Sequence, residues 1–424
     1  MNQRFYEGLN ETLYATRMAN GLRVQVVPRP GFSRKLAYFV TDFGSIHTEF
    51  LLEGKKIEAP AGIAHFLEHK MFELPGRDVS AEFAALGANV NAFTSYDMTA
   101  YYFSCTENFL PNLRLLLEFV STPYFTEESV QREIGIIDQE IGMNADSPER
   151  VFENLMQAMY RSHPIRVPIL GSRESIRQIT PGLLNECHRA FYTPANMILC
   201  VVGDVDPGQV LQVAREVLGD EKKEAGSKLR PWQEDMTCQQ ETVTMPMEVA
   251  MPNFQLGFKC ESIGTGIDAI RQEIIGDLAA EALFGESSQL YLQLYERGLI
   301  DSSFGGGFET VDGCALLTCG GDSYEAQAVR DAILARAEEL VSAGIDDADL
   351  LRMKRSALGR RIRDLDSFDS TCFRLCAYEL SSFDYFCFPA VYTEITAQQV
   401  CAFIEKTVRK ERCALSIIEP RRQT

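Results

Sequence analysis

The sequence predicts an α+β protein with two tandem domains, and three observations support this prediction. The chain has 424 residues, which is too long for one ordinary core and suits two domains of about 200 residues each. A charged stretch without apolar periodicity lies at residues 219–228, and Pro231 follows it. Both flanking halves contain strand-like and helix-like segments, which favours an antiparallel sheet with helices packed on one face in each half. We therefore predict a first domain over residues 1–219, a linker over 220–236 and a homologous second domain over 237–424.

The elements of the two halves follow a similar order. In the first half an Asn20-Gly21 turn leads into strands at residues 22–27 and 36–40. A helix is predicted over residues 63–72, where apolar residues recur at roughly helical spacing after a Pro-Ala-Gly turn. The second half shows a strand, a helix and a strand, at residues 254–258, 270–283 and 314–319. The repeat is weak at the level of individual residues.

The most informative stretch runs from His65 to His69 and has the order H-x-x-E-H. On a helix this spacing places both imidazoles on one side, and Glu68 leans toward the same space. Two neutral imidazoles can bind Zn²⁺, while a carboxylate that is not a ligand can take a proton from the attacking water. Because the chain has five histidines and a buried histidine without a role is costly, the motif predicts a zinc-hydrolase site. The alternative is a pair of solvated histidines on a polar helix face.

A catalytic zinc site needs a third protein ligand and leaves the fourth position to water. The helix-like segment 127–141 carries Glu133 and Glu140, which are seven residues apart and so point the same way. Asp138 is turned roughly 200° from Glu140 by the helical period. For a lone glutamate on a helix the residues themselves favour an exposed acidic face, so this alternative stays open.

These motifs resemble the pitrilysin/insulinase family of zinc peptidases, which includes the mitochondrial processing peptidases and many short bacterial relatives. Further segments that match in order span most of residues 12–215: Asn91–Thr94, Tyr101–Phe103, His163-Pro164, Leu170–Ser172, Phe191–Met197 and Val201–Val205. The resemblance implies that His65, His69 and Glu140 bind one zinc ion. It implies that Glu68 is the general base and that Glu133 belongs to the catalytic set as a supporting carboxylate.

The resemblance also implies a substrate class. In the family, the strand that here contains Asn91, Ala92 and Phe93 is a sheet edge that accepts an extended peptide through main-chain hydrogen bonds. Residues 87–92 alone would fit an ordinary turn and strand. The implied substrates are unfolded peptides, leader segments or protein fragments. The net charge of −19, from 41 basic and 60 acidic residues, argues against nucleic acid or an anionic membrane as a partner and is compatible with basic peptides.

The second half departs from the family pattern. It contains no histidine after His188, so it cannot hold a second zinc site of the same kind. In the family this half supplies an arginine and, seven residues later, a tyrosine that bind the substrate carbonyl. Here Tyr295 stands at the arginine position and Asp301 near the tyrosine position, while Arg297 is followed seven residues later by Phe304. The resemblance therefore implies a heterodimer with a paralogous subunit that supplies the arginine–tyrosine pair; a homodimer, or a donor such as Arg297, is the alternative.

The remaining features concern location and the choice of function. Twelve cysteines are scattered without a C-x-x-C pair, and no apolar run reaches transmembrane length. Many unpaired thiols fit a reducing compartment, so we expect a cytoplasmic protein. We expect structural roles for Cys372 and Cys376, and for His47, His163 and His188. Two functions stay open: a zinc endopeptidase, which the intact motif favours, and a non-catalytic scaffolding or peptide-binding subunit of the same fold.

Overall fold

A computed structural model describes residues 1–421, and these form two compact units. The first unit contains Met1–Ile141, Pro168–Pro231 and Ile362–Phe386. The second contains Gly142–Val167, Trp232–Arg361 and the described residues from Cys387 onward. The division near residue 231 falls inside the predicted linker. The two units nevertheless differ in composition from two tandem halves. Residues 142–167 group with the unit formed mostly by the second half of the chain, and residues 362–386 with the unit formed mostly by the first half.

The described residues contain strands and α-helices in a mixed order. The strands are β1 (Asn2–Tyr6), β2 (Glu11–Arg17), β3 (Arg23–Pro28), β4 (Lys35–Thr41), β5 (Glu49–Leu52), β6 (Lys55–Glu58), β7 (Glu73–Leu74), β8 (Arg77–Asp78), β9 (Ala88–Thr94), β10 (Thr99–Cys105), β11 (Met197–Gly203), β12 (Ser227–Lys228), β13 (Thr242–Met247), β14 (Asn253–Cys260), β15 (Gly305–Val311), β16 (Cys314–Asp322) and β17 (Cys413–Pro420). The helices are α1 (Ile63–Met71), α2 (Val79–Ala85), α3 (Phe109–Ser121), α4 (Glu127–Ala145), α5 (Arg150–Met159), α6 (Arg173–Ile176), α7 (Pro181–Phe191), α8 (Pro207–Leu218), α9 (Gly266–Phe284), α10 (Gln289–Glu296), α11 (Ala326–Ala343), α12 (Asp347–Asp364), α13 (Phe368–Leu380), α14 (Phe388–Glu394) and α15 (Ala397–Thr407).

The first unit is built on a seven-stranded sheet with the order β1-β2-β3-β11-β4-β10-β9. Neighbouring strands run antiparallel except β3 and β11, which pair in parallel. Helices α1, α3 and α8 pack on one face over the main hydrophobic core. On the other face α13 packs against β11, with Cys372 Sγ 3.8 Å from the backbone oxygen of Cys200. Because both faces are covered, every residue of β11 is buried.

The second unit is built on a five-stranded sheet with the order β13-β17-β14-β16-β15. One face contacts α5 so closely that a Cβ atom at Gly257 would lie 2.6 Å from the sulfur of Met159. The other face contacts α9, where a Cβ at Gly276 would lie 2.3 Å from the Phe308 ring. The predicted α+β class is confirmed, and each sheet also has a helix on the face that the prediction left open, α13 in the first unit and α5 in the second.

Two helices of the first unit matter most for the site. Helix α1 begins after Gly62, whose φ of 90° favours glycine and whose Cβ position would lie 2.5 Å from the backbone oxygen of Leu170. Helix α4 begins at Glu127, directly after Thr126. The side-chain hydroxyls of Thr126 and of Ser129, in the first turn, each accept a hydrogen bond from the other's backbone N–H at 3.2 Å. Both helices lie where the sequence predicts them.

Gly62→Ala should destabilise the first unit more than the same change at Gly76. Both glycines have a positive φ, but a Cβ at Gly76 meets nothing within 4 Å, whereas one at Gly62 meets a backbone carbonyl. We expect a loss of about 2–4 kcal/mol in the free energy of unfolding for Gly62→Ala and about 1–2 kcal/mol for Gly76→Ala. Urea denaturation of both variants provides the measurement, and equal losses would contradict the steric argument.

Candidate metal centre

Helices α1 and α4 bring three side chains with metal-binding atoms to one point. On α1 the imidazole rings of His65 and His69 have their centroids 4.5 Å apart. From α4 the Glu140 carboxylate faces both rings, with Oε1 3.6 Å from His65 Nε2 and Oε2 3.8 Å from His69 Nε2. One ligand atom from each residue lies within 4.8 Å of the others, and no other group of three or more such side chains in the described chain meets this criterion.

The arrangement of these atoms fits a zinc ion. The nitrogen–oxygen distances of 3.6 and 3.8 Å are too long for hydrogen bonds. With zinc–ligand bonds of about 2.0–2.1 Å in a tetrahedron, neighbouring ligand atoms lie about 3.3–3.4 Å apart. Two imidazoles and one carboxylate are also a donor set that catalytic zinc sites use, with the fourth position open. The residues present therefore fit the metal that the motif predicts.

The two histidines lie in opposite electrostatic environments. Burial, with a smaller contribution from His69, lowers the pKa of His65 to about 4, so this ring is neutral at pH 7 and able to bind a metal. The His65 Nδ1 atom is buried and has no hydrogen-bond partner among the described residues. In contrast, the hydrogen bond with Glu133 raises the pKa of His69 against the opposing effect of burial.

Glu133 sets the orientation and tautomer of His69. Its Oε1 lies 3.0 Å from His69 Nδ1, and a neutral His69 must donate its proton there because the carboxylate can only accept. That tautomer leaves the lone pair of Nε2 pointing toward Glu140. Glu133 thus contacts His69 and lies outside the group of three side chains whose ligand atoms come together.

Glu68 lies beside the three ligand residues and has its own partner. Its Oε2 accepts a hydrogen bond from Thr94 Oγ at 2.8 Å. Burial raises the pKa of Glu68, while the Thr94 hydroxyl partly opposes that effect. A carboxylate with a raised pKa can both accept and return a proton near neutral pH, which is what a general base in hydrolysis must do.

A 320 Å³ pocket adjoins the site and reaches the edge strand β9. It is lined by Glu68, His69, Phe72, Ser80, Val90, Asn91, Ala92 and Glu133. Strand β9 pairs with β10 and lies at the end of the sheet order. Of the predicted substrate-binding residues, Asn91 and Ala92 line the pocket. Phe93 does not, because its ring points away and lies near the rings of Tyr102 and Phe373.

Sequence reasoning missed two features of this region. The contact of Thr94 with Glu68 could not be found, because the family segment gives Thr94 no role and the two residues are distant in sequence. Lys70 is fully buried directly after His69 and contacts Glu73. A lysine within an otherwise apolar helix face, with a glutamate three residues later, was a usable signal.

The other predicted residues lie in separate surroundings. In the second unit Tyr295 is exposed on α10 and stacks on Tyr291, with centroids 6.1 Å apart. Asp301 accepts hydrogen bonds from the backbone and hydroxyl of Ser303. The remaining histidines bond backbone groups, as structural residues do. His47 bonds the backbone of Gly44, and His188 bonds that of Val120. His163 bonds the backbones of both Ile165 and Asp312. Within the described residues the cysteines form no disulfide bonds.

Comparison with known proteins identifies the family. Residues 54–173 match the insulinase (peptidase family M16) model, and residues 178–357 match the model of the peptidase M16 inactive domain. A Bacillus subtilis protein named as an uncharacterized zinc protease, YmfH, is 38% identical over 427 residues and 98% of each chain is covered. The chain therefore belongs to the insulinase family of peptidases, M16, as the sequence predicts.

Solved structures agree with this assignment. A chain described as an M16-like peptidase from Alicyclobacillus acidocaldarius has a TM-score of 0.92 and 34% identity, with 97% of this chain and 99% of that chain covered. Pitrilysin has a TM-score of 0.81 at 17% identity, with 99% of this chain and 46% of the pitrilysin chain covered, and shows the shared fold alone. A structure described as a peptidase M16 inactive domain, from Pseudomonas fluorescens, has a TM-score of 0.77 at 20% identity. The fold therefore does not by itself establish catalysis.

Across the described residues, none of the helices combines the length and the apolar character that crossing a bilayer requires.

Glu133→Gln should lower the pKa of His69 in zinc-free protein. The hydrogen bond with the Glu133 carboxylate is the largest cause of the raised pKa, and Glu140 contributes less. The neutral amide removes that charge, so His69 should lose its proton at lower pH. NMR titration of labelled histidine measures the change. A shift in Glu140→Gln as large as that in Glu133→Gln would contradict the assignment of the dominant partner.

Glu140→Ala should abolish tight zinc binding at pH 7. The variant leaves two imidazoles, and two ligands hold zinc far more weakly than three. Zinc per chain after dialysis against a weak chelator is the measurement, with the exposed Glu128→Gln of the same helix as control. Full retention of zinc in Glu140→Ala would place the third ligand elsewhere, with Glu133 the next candidate.

Proposed function

We propose that this chain is a zinc metalloendopeptidase that cleaves unfolded peptides or leader segments as the zinc-carrying subunit of a heterodimer. The observation that supports it most is the meeting of His65, His69 and Glu140 beside the Glu68 carboxylate. These three residues would hold one zinc ion per chain. A relative with 38% identity over nearly the whole chain is also named a zinc protease.

The residues around the metal position divide the chemistry among them. Bound zinc would polarise the scissile carbonyl and make water in the site more acidic. Glu68 takes a proton from the attacking water and returns it to the leaving amine. Thr94 holds the Glu68 carboxylate by one oxygen, which leaves the other oxygen for this proton transfer. Glu133 acts on His69 and not on the substrate.

The edge strand supports a peptide substrate. A segment that adds to β9 would form main-chain hydrogen bonds along Asn91, Ala92 and Phe93, so binding would tolerate many sequences. Because Asn91 and Ala92 line the same pocket as Glu68 and His69, the added strand would pass the catalytic carboxylate. Only an extended chain can pair in this way, which favours unfolded peptides over folded proteins.

The missing donor pair supports a partner subunit. Tyr295 and Asp301 stand where the family has an arginine and a tyrosine, and loss of oxyanion donors lowers turnover by about 10²–10³. A paralogous subunit would restore them. A homodimer, or Arg297 of this chain, is the alternative source. The cysteine thiols of the described residues, none of which is in a disulfide, support a cytoplasmic location, because thiols persist in a reducing compartment.

A non-catalytic scaffolding or peptide-binding subunit is the second candidate. Two observations favour it: the match of residues 178–357 to an inactive domain and the absence of the donor pair. The intact set of His65, Glu68, His69, Glu133 and Glu140 argues for the peptidase, because a subunit without chemistry has no need of a metal site.

Zinc analysis and cleavage of a quenched, unstructured peptide distinguish these candidates. We expect about one zinc per chain, with rapid cleavage only when the candidate paralogue is added. Glu68→Gln should bind zinc as the wild type does and cleave nothing, because the amide cannot accept the proton from water.

Each other outcome has a distinct meaning. Cleavage by the chain alone would show that this chain or its homodimer supplies the oxyanion donors. Cleavage by Glu68→Gln near the wild-type rate would remove Glu68 as the base. A zinc-free, inactive wild type after zinc has been offered, with and without the paralogue, would favour the scaffolding function.

A further inference from the structure

A buried lysine lies directly beside one of the metal-binding histidines. Lys70 follows His69 on α1, and its side chain is 0% exposed. Its ammonium contacts the Glu73 carboxylate and lies 3.5 Å from the backbone oxygen of Ser129 on α4. A buried ammonium is costly unless an anion and further acceptors surround it. Lys70 on α1 is therefore held by Glu73 on β7, the strand that follows α1, and by the backbone of Ser129 on α4.

The contacts of Lys70 continue through Glu73 to a second cation. The other oxygen of the Glu73 carboxylate accepts a hydrogen bond from Arg132 at 2.6 Å. Arg132 lies on α4 and directly precedes Glu133. Lys70, which follows His69, and Arg132, which precedes Glu133, thus bind the two oxygens of one carboxylate. We call these two ion pairs the ionic tie; its three residues all belong to the first unit.

Stability alone does not explain this tie. Replacing a buried ion pair by apolar residues of similar volume is often neutral or stabilising, and both neighbours of Lys70 on the apolar side of α1, Leu67 and Met71, are apolar and buried. Exposed pairs contribute little, and Arg132 is 57% exposed. The ionic tie adds a defined geometry, because an ammonium and a guanidinium fix the position and orientation of the carboxylate between them.

We propose that Lys70, Glu73 and Arg132 are positioning residues that hold α1 and α4 at the separation which the metal site requires. The inference rests on the proposed zinc site. Metal ligands must be held to within roughly 0.5 Å of their productive geometry. Glu140 lies on α4, and its side chain is 41% exposed. A shift of α4 against α1 would therefore move its carboxylate away from both Nε2 atoms.

The affinity of zinc-free protein for zinc tests the proposal without any measurement of activity. Lys70→Met keeps the length of the side chain and removes the charge, while Glu73→Gln keeps the shape and weakens both contacts. We expect the zinc affinity of each variant to fall about 10–100-fold, as for losses of groups that orient metal ligands. Competition with a fluorescent chelator measures the affinity at a temperature where circular dichroism shows the variants folded.

Arg77→Met is the matched control. It also removes one cation from the first unit, but Arg77 forms an exposed pair with Glu82 that involves neither α1 nor α4. Its zinc affinity should equal that of the wild type. A purely structural role for Lys70 or Glu73 would lower the melting temperature of the zinc-free protein and leave the affinity of the folded protein unchanged, which would overturn the proposal.

Failure of this inference and failure of the proposed function have different signatures. A wild-type protein that binds no zinc removes the proposed function. A wild type that binds zinc, with Glu73→Gln and Arg132→Met binding it equally well, overturns the positioning role alone. Should Lys70→Met not fold, these two variants decide the question, because both leave the buried lysine in place: Glu73→Gln weakens both contacts of the carboxylate, and Arg132→Met removes only its contact with α4.

Discussion

The site depends on one physical constraint: two imidazoles and a carboxylate from separate helices must meet within a few ångströms. Their ligand atoms lie within 4.8 Å of one another, although the local spacing of α1 fixes only the two histidines. The relation of α1 to α4 must come from packing and from polar contacts between the helices. The bond between His69 and Glu133 and the buried contact of Lys70 with Ser129 both serve this purpose.

The protein compensates the cost of burying so many polar groups by giving most of them a specific partner. Glu68 has Thr94, His69 has Glu133, and Lys70 has Glu73. His65 is the exception, since its Nδ1 is buried without a hydrogen-bond partner in the described chain. The two imidazoles therefore differ before any metal binds: desolvation keeps His65 neutral, while Glu133 favours a proton on His69.

The sequence was sufficient for the parts of this arrangement that local spacing determines. Helices α1 and α4, the side that Glu133 shares with Glu140, and the edge strand with Asn91 and Ala92 follow from periodicity and from family motifs. Contacts between distant segments could not be predicted, because periodicity gives a face and not the element that covers it. The bond from Thr94 to Glu68 and the placement of α5 and α13 are of this kind.

The packing of α13 on the central strands of the first sheet has a consequence for synthesis of the protein. Strand β11 is buried along its whole length, yet the helix that covers one of its faces comes from residues 368–380. During translation the sheet around β11 is complete long before this helix leaves the ribosome. Until then it presents an apolar face, which the nascent chain must protect from aggregation. For the same reason, a fragment cut at the middle of the chain would be an incomplete domain rather than an independent one.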